Sequence, residues 1–302
     1  MKQQNTIQLY CRQNNIDYLS DEPMCKHTTF HIGGTADLFI KPTDTQQLSG
    51  LLSYCTKNNI LPFFIGKGSN LLVNDDGIRG VVISTSYLDS EIEMLNETTI
   101  RCTAGTDLAQ LCMFAYKHSL TGLEFAWGIP GSVGGAIYMN AGAYGSEMKD
   151  VLLSSAHIDK FGTEHITKSN KLKLSYRHSI YAEDNSILIT HGVFKLQVGS
   201  PETIRNAMDT YKTKRRTSQP LELPSAGSTF KRPATGYASA LIDECGLKGL
   251  TVGGAMVSTK HAGFIVNYNN ATAADVLELI KQVQQIVLDK KGIMLECEMK
   301  MP

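Results

Sequence analysis

Apolar positions repeat at helical spacing in five segments of the chain, and we predict a helix in each of them. Capping residues support these assignments, because Asp44 precedes the first segment and Gly292 follows the last. The first predicted helix opens at Thr43-Asp44, and the third runs from Pro201 and stops before Pro220. The second, fourth and fifth span 107–118, 238–245 and 272–291.

Short apolar or alternating runs between these helices predict strands. In the last run, alternation places Glu296 and Glu298 on the same strand face. Residues 151–198 have an all-β pattern with a hairpin turn at Phe161-Gly162. This order of elements favours an α+β fold over a doubly wound βαβ series. The other predicted strands cover 61–65, 81–83, 99–103, 263–266 and 293–299.

Two glycine-rich loops are the most unusual feature of the sequence. The first starts at Gly66, directly after a predicted strand, and the second lies within 122–145. Glycine clusters where the backbone takes positive φ or approaches a ligand closely. The first loop lacks the third glycine of a Rossmann fingerprint, and the chain has no Walker sequence. We interpret the two loops as turns whose N–H groups bind the diphosphate of a dinucleotide, with ordinary turn chemistry as the alternative.

Charge and cysteine usage narrow the class of protein. Lys plus Arg and Asp plus Glu are equal at 29 each, without a basic run, which argues against a nucleic-acid partner. Seven cysteines without a C-x-x-C pair favour reduced thiols over disulfides or zinc ligands. No apolar run approaches the length of a membrane span. We therefore expect a cytoplasmic protein of two or three domains, with no metal, membrane or nucleic-acid partner.

A series of short motifs runs through the chain in a specific order. They are His31-Ile32-Gly33-Gly34-Thr35-Ala36-Asp37, Gly66-Lys67-Gly68-Ser69-Asn70, residues 128–135, residues 139–145, Tyr176-Arg177, residues 224–228, residues 230–233, residues 246–249, residues 260–264 and residues 295–298. Together they closely resemble the MurB family of flavoproteins, the UDP-N-acetylenolpyruvoylglucosamine reductases of peptidoglycan synthesis. The resemblance covers roughly residues 25–300, and the ordered set is specific although each motif alone is common.

The resemblance implies an α+β fold with an FAD-binding domain of the vanillyl-alcohol-oxidase/PCMH type and a C-terminal α+β substrate-binding domain. We place the FAD-binding domain at 1–198, with two α+β subdomains at about 1–84 and 85–198, and the substrate-binding domain at 199–302. The compact stretch between Arg177 and Arg215 resembles the shorter form of the family, which lacks a substrate-covering tyrosine loop.

The resemblance also implies the reaction. NADPH gives a hydride to non-covalently bound FAD, and a hydride then passes to the enolpyruvyl ether of UDP-N-acetylglucosamine. The carbon beside the reduced one needs a proton, and the substrate carboxylate needs fixed positive charge. Arg177 matches the family residue that meets the carboxylate, Ser228 matches the proton donor, and Glu298 matches the third catalytic residue.

Further residues are assigned from local charge and from the glycine motifs: Arg215 belongs to the cationic cluster at 212–216, and Lys231 and Arg232 flank the serine loop. Predicted substrate-binding residues are Arg215, Lys231 and Arg232, although Arg215 also fits a helix C-terminus whose charges complement the dipole. We expect His31, His178 and His261 to form hydrogen bonds and not to bind a metal. The predicted cofactor-binding residues are Gly66, Lys67, Gly68, Ser69, Asn70, Leu71, Gly128, Pro130, Gly131, Ser132, Gly134, Gly135, Asn140, Ala141 and Gly142.

The sequence leaves two other functions open. One is another FAD-dependent oxidoreductase of the same superfamily, acting on alcohols or sugars. Such enzymes often tether the flavin covalently, and Cys102 and Cys112 are candidate tether residues. The other is a non-catalytic module that binds a flavin or a nucleotide sugar and consumes no NADPH. The choice between NADPH and NADH and the oligomeric state are also open.

Overall fold

The computed structural model describes the backbone of residues 2–302 and the side chains of residues 5–302. Within this part of the chain, no helix is both long enough and apolar enough to span a bilayer. The seven α-helices that it describes are α1 Lys2–Gln13, α2 Thr45–Lys57, α3 Leu108–Lys117, α4 Val133–Tyr138, α5 Pro201–Ser218, α6 Ala238–Glu244 and α7 Ala273–Lys291.

The strands are short, and most of them pair antiparallel. They are β1 Asp17–Pro23, β2 Thr35–Lys41, β3 Phe63–Ile65, β4 Ile78–Ser84, β5 Ile92–Asn96, β6 Thr99–Thr103, β7 Leu120–Thr121, β8 Gly142–Ala143, β9 Ser146–Glu147, β10 Leu152–Ile158, β11 Glu164–Lys168, β12 Leu188–Lys195, β13 Gln197–Val198, β14 Thr251–Val252, β15 Ala255–Val257 and β16 Ile265–Asn267.

The chain divides into two compact units that interleave along the sequence. Unit 1 contains Met1–Ser20, Asp37–Lys67 and Gly80–Lys214, and unit 2 contains Asp21–Ala36, Gly68–Arg79 and Arg215–Pro302. The sequence-based domains at 1–198 and 199–302 are contiguous, so they differ from these units. The reason is that local periodicity identifies elements but carries no information on which distant segments pack together. The functional domain assignment stays a prediction.

Unit 1 contains a five-stranded antiparallel sheet of order β11-β10-β12-β6-β5. One apolar core includes residues of β6 and β12 and the buried faces of α3 and α4. A second core lies where α1 and α2 bury Ile7, Cys11, Leu48 and Leu51. The four-stranded sheet has the order β1-β2-β4-β3, with β3 and β4 parallel.

Unit 2 is built around α7 and the antiparallel sheet β14-β15-β16. Thr272 caps α7 through a capping box with Asp275, and Gly292 ends the helix at φ +68°. Asp75 adds a second cap, because its carboxylate accepts hydrogen bonds of 2.8 and 3.0 Å from the backbone N–H groups of Ala273 and Ala274. A carboxylate at a helix N-terminus also complements the helix dipole. Segment 68–79 is thereby attached to the main helix of its unit.

The helix predictions are confirmed for α2, α3, α5, α6 and α7. Sequence analysis missed α1 and α4 because α1 is largely polar and α4 contains consecutive glycines. The all-β pattern of 151–198 is confirmed in β10, β11, β12 and β13, although residues 169–182 also contain two 3₁₀ turns.

The prediction of a final strand at 293–299 is wrong. The segment forms two isolated bridges, in which Cys297 pairs with Phe230 and Lys300 pairs with Leu71. Glu298 is 9% exposed, whereas the side chain of Glu296 is 72% exposed, so the two do not share a face as alternation predicted. Because the segment pairs with a different partner at each end, the two-residue period of a strand does not apply.

One buried histidine, His157, gives unit 1 a titratable group inside its sheet. Burial is the main cause that lowers the pKa of His157, and the neighbouring His165, stacked at 5.5 Å between ring centroids, lowers it further. The Tyr181 hydroxyl lies 3.3 Å from Nδ1 of His157. The carboxylates that act in the opposite direction are Asp159, Asp184 and Glu164.

We expect acid to destabilise the fold through His157. Since its folded-state pKa lies below the ordinary value of 6.5, the unfolded state takes up the proton first. The stability contributed by neutral His157 is therefore present above about pH 6.5 and is lost as the pH falls below it. Between about pH 7.5 and 5.5, the free energy of unfolding should fall less for His157→Gln than for the wild type. The two slopes should differ by at most about 1.4 kcal/mol per pH unit, the limit for one proton.

Urea unfolding at several pH values measures this difference. His118→Gln serves as the control, because His118 lies exposed at the C-terminus of α3. If the free energy of unfolding falls with pH at the same slope in the wild type and in His157→Gln, His157 is not the source of the acid destabilisation.

Candidate active site

Within unit 1, the start of the first predicted glycine loop, Gly66 and Lys67, lies beside the second loop and the start of α3. A Cβ built on Gly66 would lie 2.5 Å from the Ser132 hydroxyl. Lys67 forms an ion pair with Asp107, with 2.6 Å between Nζ and Oδ1. Asp107 is the N-cap of α3 and also pairs with Ser132 in an isolated bridge. The two loops therefore converge at the start of α3, an arrangement that favours the diphosphate interpretation.

The second loop is fixed by backbone hydrogen bonds to the segment before α3. Val133 donates to the carbonyl of Thr106 at 2.9 Å, and Gly134 donates to the carbonyl of Ala104 at 2.8 Å. A Cβ on Gly134 would come within 2.9 Å of the Ala104 Cβ, so packing requires glycine there. Gly135 is exposed instead. Of these two glycines, Gly135 is the one whose backbone a ligand can reach.

Two buried polar atoms beside these loops lack a hydrogen-bond partner in the described protein. They are the Ser86 hydroxyl and the indole N–H of Trp127. Trp127 directly precedes Gly128 of the second loop. Ser86 follows Thr85, whose hydroxyl lies 3.8 Å from a Cβ built on Gly66. Buried polar groups are almost always satisfied, so these two atoms fit a polar ligand at the loops.

Arg177 lies at the tip of a tight turn in unit 1. Ser175 and His178 exchange backbone hydrogen bonds of 3.1 and 3.2 Å, and Arg177 has φ +56°. This left-handed conformation costs a non-glycine residue roughly 1–2 kcal/mol. The guanidinium carbon lies 5.1 Å from the ring centroid of Tyr176. Strained backbone of this kind concentrates at functional sites.

Two buried side chains fix this turn in place. Asn140 donates to the carbonyl of Ser175 at 3.0 Å and to the Glu147 carboxylate at 2.8 Å. The Ser179 hydroxyl donates to the carbonyl of Tyr138, the last residue of α4, at 2.7 Å. Asn140 thus has a clear role in positioning the Arg177 turn, and its predicted contact with the cofactor stays a prediction.

Ser228 lies in a loop of unit 2 that is anchored at both ends. Ser225 pairs with β16 in an isolated bridge, and Thr229 donates to the carbonyl of Gly263 at 2.8 Å. Between them, Gly227 has φ +80°, and a Cβ there would meet no protein atom within 4 Å. The loop therefore presents Ser228 from a glycine turn with open space beside it.

The C-terminal segment places Glu298 beside the serine loop. The backbone N–H of Glu298 donates to the carbonyl of Thr229 at 2.8 Å. The side-chain amide of Asn70 donates to the carbonyl of Glu298 at 3.4 Å. Residues of the first glycine loop, the serine loop and the C-terminal segment thus meet within unit 2, although they lie far apart in the sequence.

The predicted substrate-binding cations have protein partners. Lys231 forms an ion pair with the exposed carboxylate of Glu296. The Arg232 guanidinium carbon lies 4.7 Å from the ring centroid of Tyr237. Arg215 is half-buried in the last turn of α5. The contacts of these residues with substrate stay predictions.

Sequence reasoning missed three polar residues that hold these loops. Asp107 was assigned only as a helix start, and its ion pair with Lys67 depends on tertiary packing. Ser179 and Thr29 bond to carbonyls distant in sequence, Thr29 to that of Ser225 at 2.7 Å. No local sequence pattern identifies such partners.

The two candidate tether cysteines are poorly placed for covalent chemistry. Cys102 and Cys112 are at most 2% exposed. Burial raises the pKa of Cys102 to about 12 and also raises the pKa of Cys112. Because the thiolate is the reactive form, these environments argue against a cysteine-tethered flavin.

Two family models match separate parts of the chain. The model of the FAD binding domain matches residues 36–168. The model of the C-terminal domain of UDP-N-acetylenolpyruvoylglucosamine reductase matches residues 219–302. These matches confirm the predicted combination of an FAD-binding domain with a MurB-type C-terminal domain.

Proteins with this name are similar over almost the whole chain. The UDP-N-acetylenolpyruvoylglucosamine reductase of Syntrophomonas wolfei is 48% identical over 93% of both chains. That of Caldanaerobacter subterraneus is 46% identical over 93% of this chain and 92% of its own length. The MurB crystal structure from Thermus caldophilus matches with a TM-score of 0.79 and 33% identity, covering 95% of this chain and 98% of that one. The chain belongs to the UDP-N-acetylenolpyruvoylglucosamine reductase family.

Proposed function

We propose that the chain reduces UDP-N-acetylenolpyruvoylglucosamine to UDP-N-acetylmuramate with electrons from NADPH, as a cytoplasmic step of peptidoglycan precursor synthesis. The observation that carries the proposal is 46–48% identity to reductases of this name over more than nine-tenths of each chain. The positions of Arg177, Ser228 and Glu298 within their units support it.

The residues of unit 1 fit FAD. Gly66, Lys67 and the loop at 128–135 would hold the diphosphate through backbone N–H groups and the Lys67 charge. The Trp127 indole N–H and the Ser86 hydroxyl are buried polar groups that a polar cofactor can satisfy. When bound, FAD supplies hydride transfer between NADPH and the substrate carbon.

Arg177 serves the substrate carboxylate in this proposal. Reduction of the enolpyruvyl double bond leaves negative charge on the carbon next to the carboxylate, which can spread into that group. A guanidinium holds a carboxylate with two parallel hydrogen bonds and stabilises the developing charge. The Ser175–His178 turn, fixed by Asn140, holds the backbone of Arg177 in one conformation.

Ser228 delivers the proton to the carbon in this proposal. A serine hydroxyl is a weak acid, but the carbon that receives its proton is strongly basic at that moment. The buried Glu298 lies beside the same loop, with its backbone bonded to Thr229. Its carboxyl group is the second candidate proton source.

The purified protein should be yellow and hold one FAD without a covalent bond. The burial of Cys102 and Cys112 leaves no reactive thiolate at either candidate tether. Acid precipitation should therefore release the flavin into the supernatant, where its absorbance is measured. Colour that stays in the pellet after washing would contradict this.

Arg177→Lys should slow flavin reoxidation by substrate on the order of 10²-fold and change flavin reduction by NADPH far less. Lysine keeps the charge but loses the planar fork that orients a carboxylate. Anaerobic stopped-flow absorbance of the flavin separates the two half-reactions. Arg101→Lys, at an exposed ion pair with Glu93, is the matched control. Equal losses in both half-reactions would mean that Arg177 serves the flavin or the fold.

Ser228→Ala should slow reoxidation by at least ~10²-fold, while NADPH still reduces the flavin at close to the normal rate. Ser228→Cys should recover part of the reoxidation rate, because a thiol can also donate a proton. Ser239→Ala, a half-buried serine of α6, is the matched control. If Ser228→Ala reoxidises its flavin at the wild-type rate, the proton must come from Glu298 or from water instead.

A further inference from the structure

Thr29 contacts two of the predicted functional loops at once. Its backbone N–H donates to the carbonyl of Gly68 at 3.3 Å, and its hydroxyl donates to the carbonyl of Ser225 at 2.7 Å. Gly68 belongs to the first glycine loop, and Ser225 begins the loop that carries Ser228. All of these residues lie in unit 2. One half-buried residue therefore joins the two loops, through its backbone to the cofactor loop and through its side chain to the loop of the proton donor.

The backbone around Thr29 has little freedom to move. A Cβ on Gly68 would overlap the carbonyl oxygen of His27 and lie 2.9 Å from the Cα of Thr28. Gly68 also has φ +62°, so glycine is required there for two reasons. The Asn267 side chain donates to the carbonyl of Phe30 at 3.3 Å. Residues 27–30 are thus fixed on both sides of Thr29.

The serine loop is anchored at both ends, and its centre leaves open space beside Gly227. At the C-terminal end, Thr229 is fully buried and its hydroxyl accepts a hydrogen bond of 3.0 Å from the N–H of Ile265. In the middle, Gly227 has open space around it. At the N-terminal end, the Thr29 hydroxyl holds the Ser225 carbonyl at the typical length of an O–H···O bond.

We propose that Thr29 is the positioning residue for Ser228, fixing the serine loop at a set distance from the first glycine loop. This rests on the proposed function, in which Ser228 gives a proton to carbon. Proton transfer needs the donor within hydrogen-bond reach of its target, and small misplacements lower the rate steeply. A hydrogen bond from outside the loop, added to its backbone pairing with β16, helps to hold such a donor in place.

Thr29→Val tests the proposal because valine keeps the branched shape and the backbone N–H but lacks the hydroxyl. In the FAD-loaded full-length protein, we expect reoxidation by the enolpyruvyl substrate to slow about 10-fold. Reduction by NADPH should stay within about 2-fold of the wild type. Thr29→Ser, which restores the hydroxyl, should recover most of the reoxidation rate.

Two further variants separate positioning from general damage to the fold. In a Ser228→Ala background, Thr29→Val should slow reoxidation by less than about 2-fold more, because the group that it positions is gone. Thr28→Val is the matched control, since the Thr28 hydroxyl bonds to the carbonyl of Ile32 within its own segment. It should affect both half-reactions alike.

Amide hydrogen exchange tests the anchoring without reference to catalysis. The amides of Gly227 and Ser228 should exchange about 5-fold faster in Thr29→Val than in Thr29→Ser, because one anchoring hydrogen bond is lost. Unchanged exchange would overturn the proposal, and so would wild-type reoxidation or equal slowing of both half-reactions. A wild-type protein that fails to oxidise NADPH with the enolpyruvyl sugar would overturn the proposed function, and exchange would still decide the role of Thr29.

Discussion

Backbone pairing between three distant segments is the constraint on which unit 2 depends. Leu72 donates to the carbonyl of Lys300 at 3.0 Å, and Lys300 donates to that of Asn70 at 2.9 Å. Also in the C-terminal segment, the backbone N–H of Glu298 donates to the carbonyl of Thr229 at 2.8 Å. The C-terminal segment is thus held between the first glycine loop and the serine loop. Each hydrogen bond is worth only about 1 kcal/mol, but together they fix where Ser228 and Glu298 lie.

In unit 1, polar side chains add to such backbone pairing. Asp107 holds Lys67 of the first loop, and Asn140 and Ser179 hold the turn of Arg177. Asn140 and Ser179 are buried, so losing either hydrogen bond costs more than losing an exposed contact such as the Asp107–Lys67 pair. Residues outside the expected catalytic set therefore carry much of the geometry of the site.

Glycine serves opposite purposes in the two loops of unit 2. Gly68 and Gly227 both have positive φ, yet neighbouring backbone fills the space beside Gly68, whereas the space beside Gly227 is open. At Gly68, a side chain is excluded so that two segments can pack. At Gly227, the turn leaves room beside the hydroxyl expected to act in catalysis. The residue type alone does not distinguish these cases.

The helices with clear caps, such as α2 and α7, were predictable from the chain alone, because capping and apolar spacing act within about four residues. The order of the motifs also determined the family. Tertiary packing, in contrast, buries Glu298 and leaves Glu296 exposed. It also places segment 68–79 in one unit with the C-terminal part of the chain. These features depend on partners far apart in the sequence, 65 residues for Lys231 and Glu296 and 198 residues for Asp75 and Ala273, and no local pattern records which distant groups will satisfy one another.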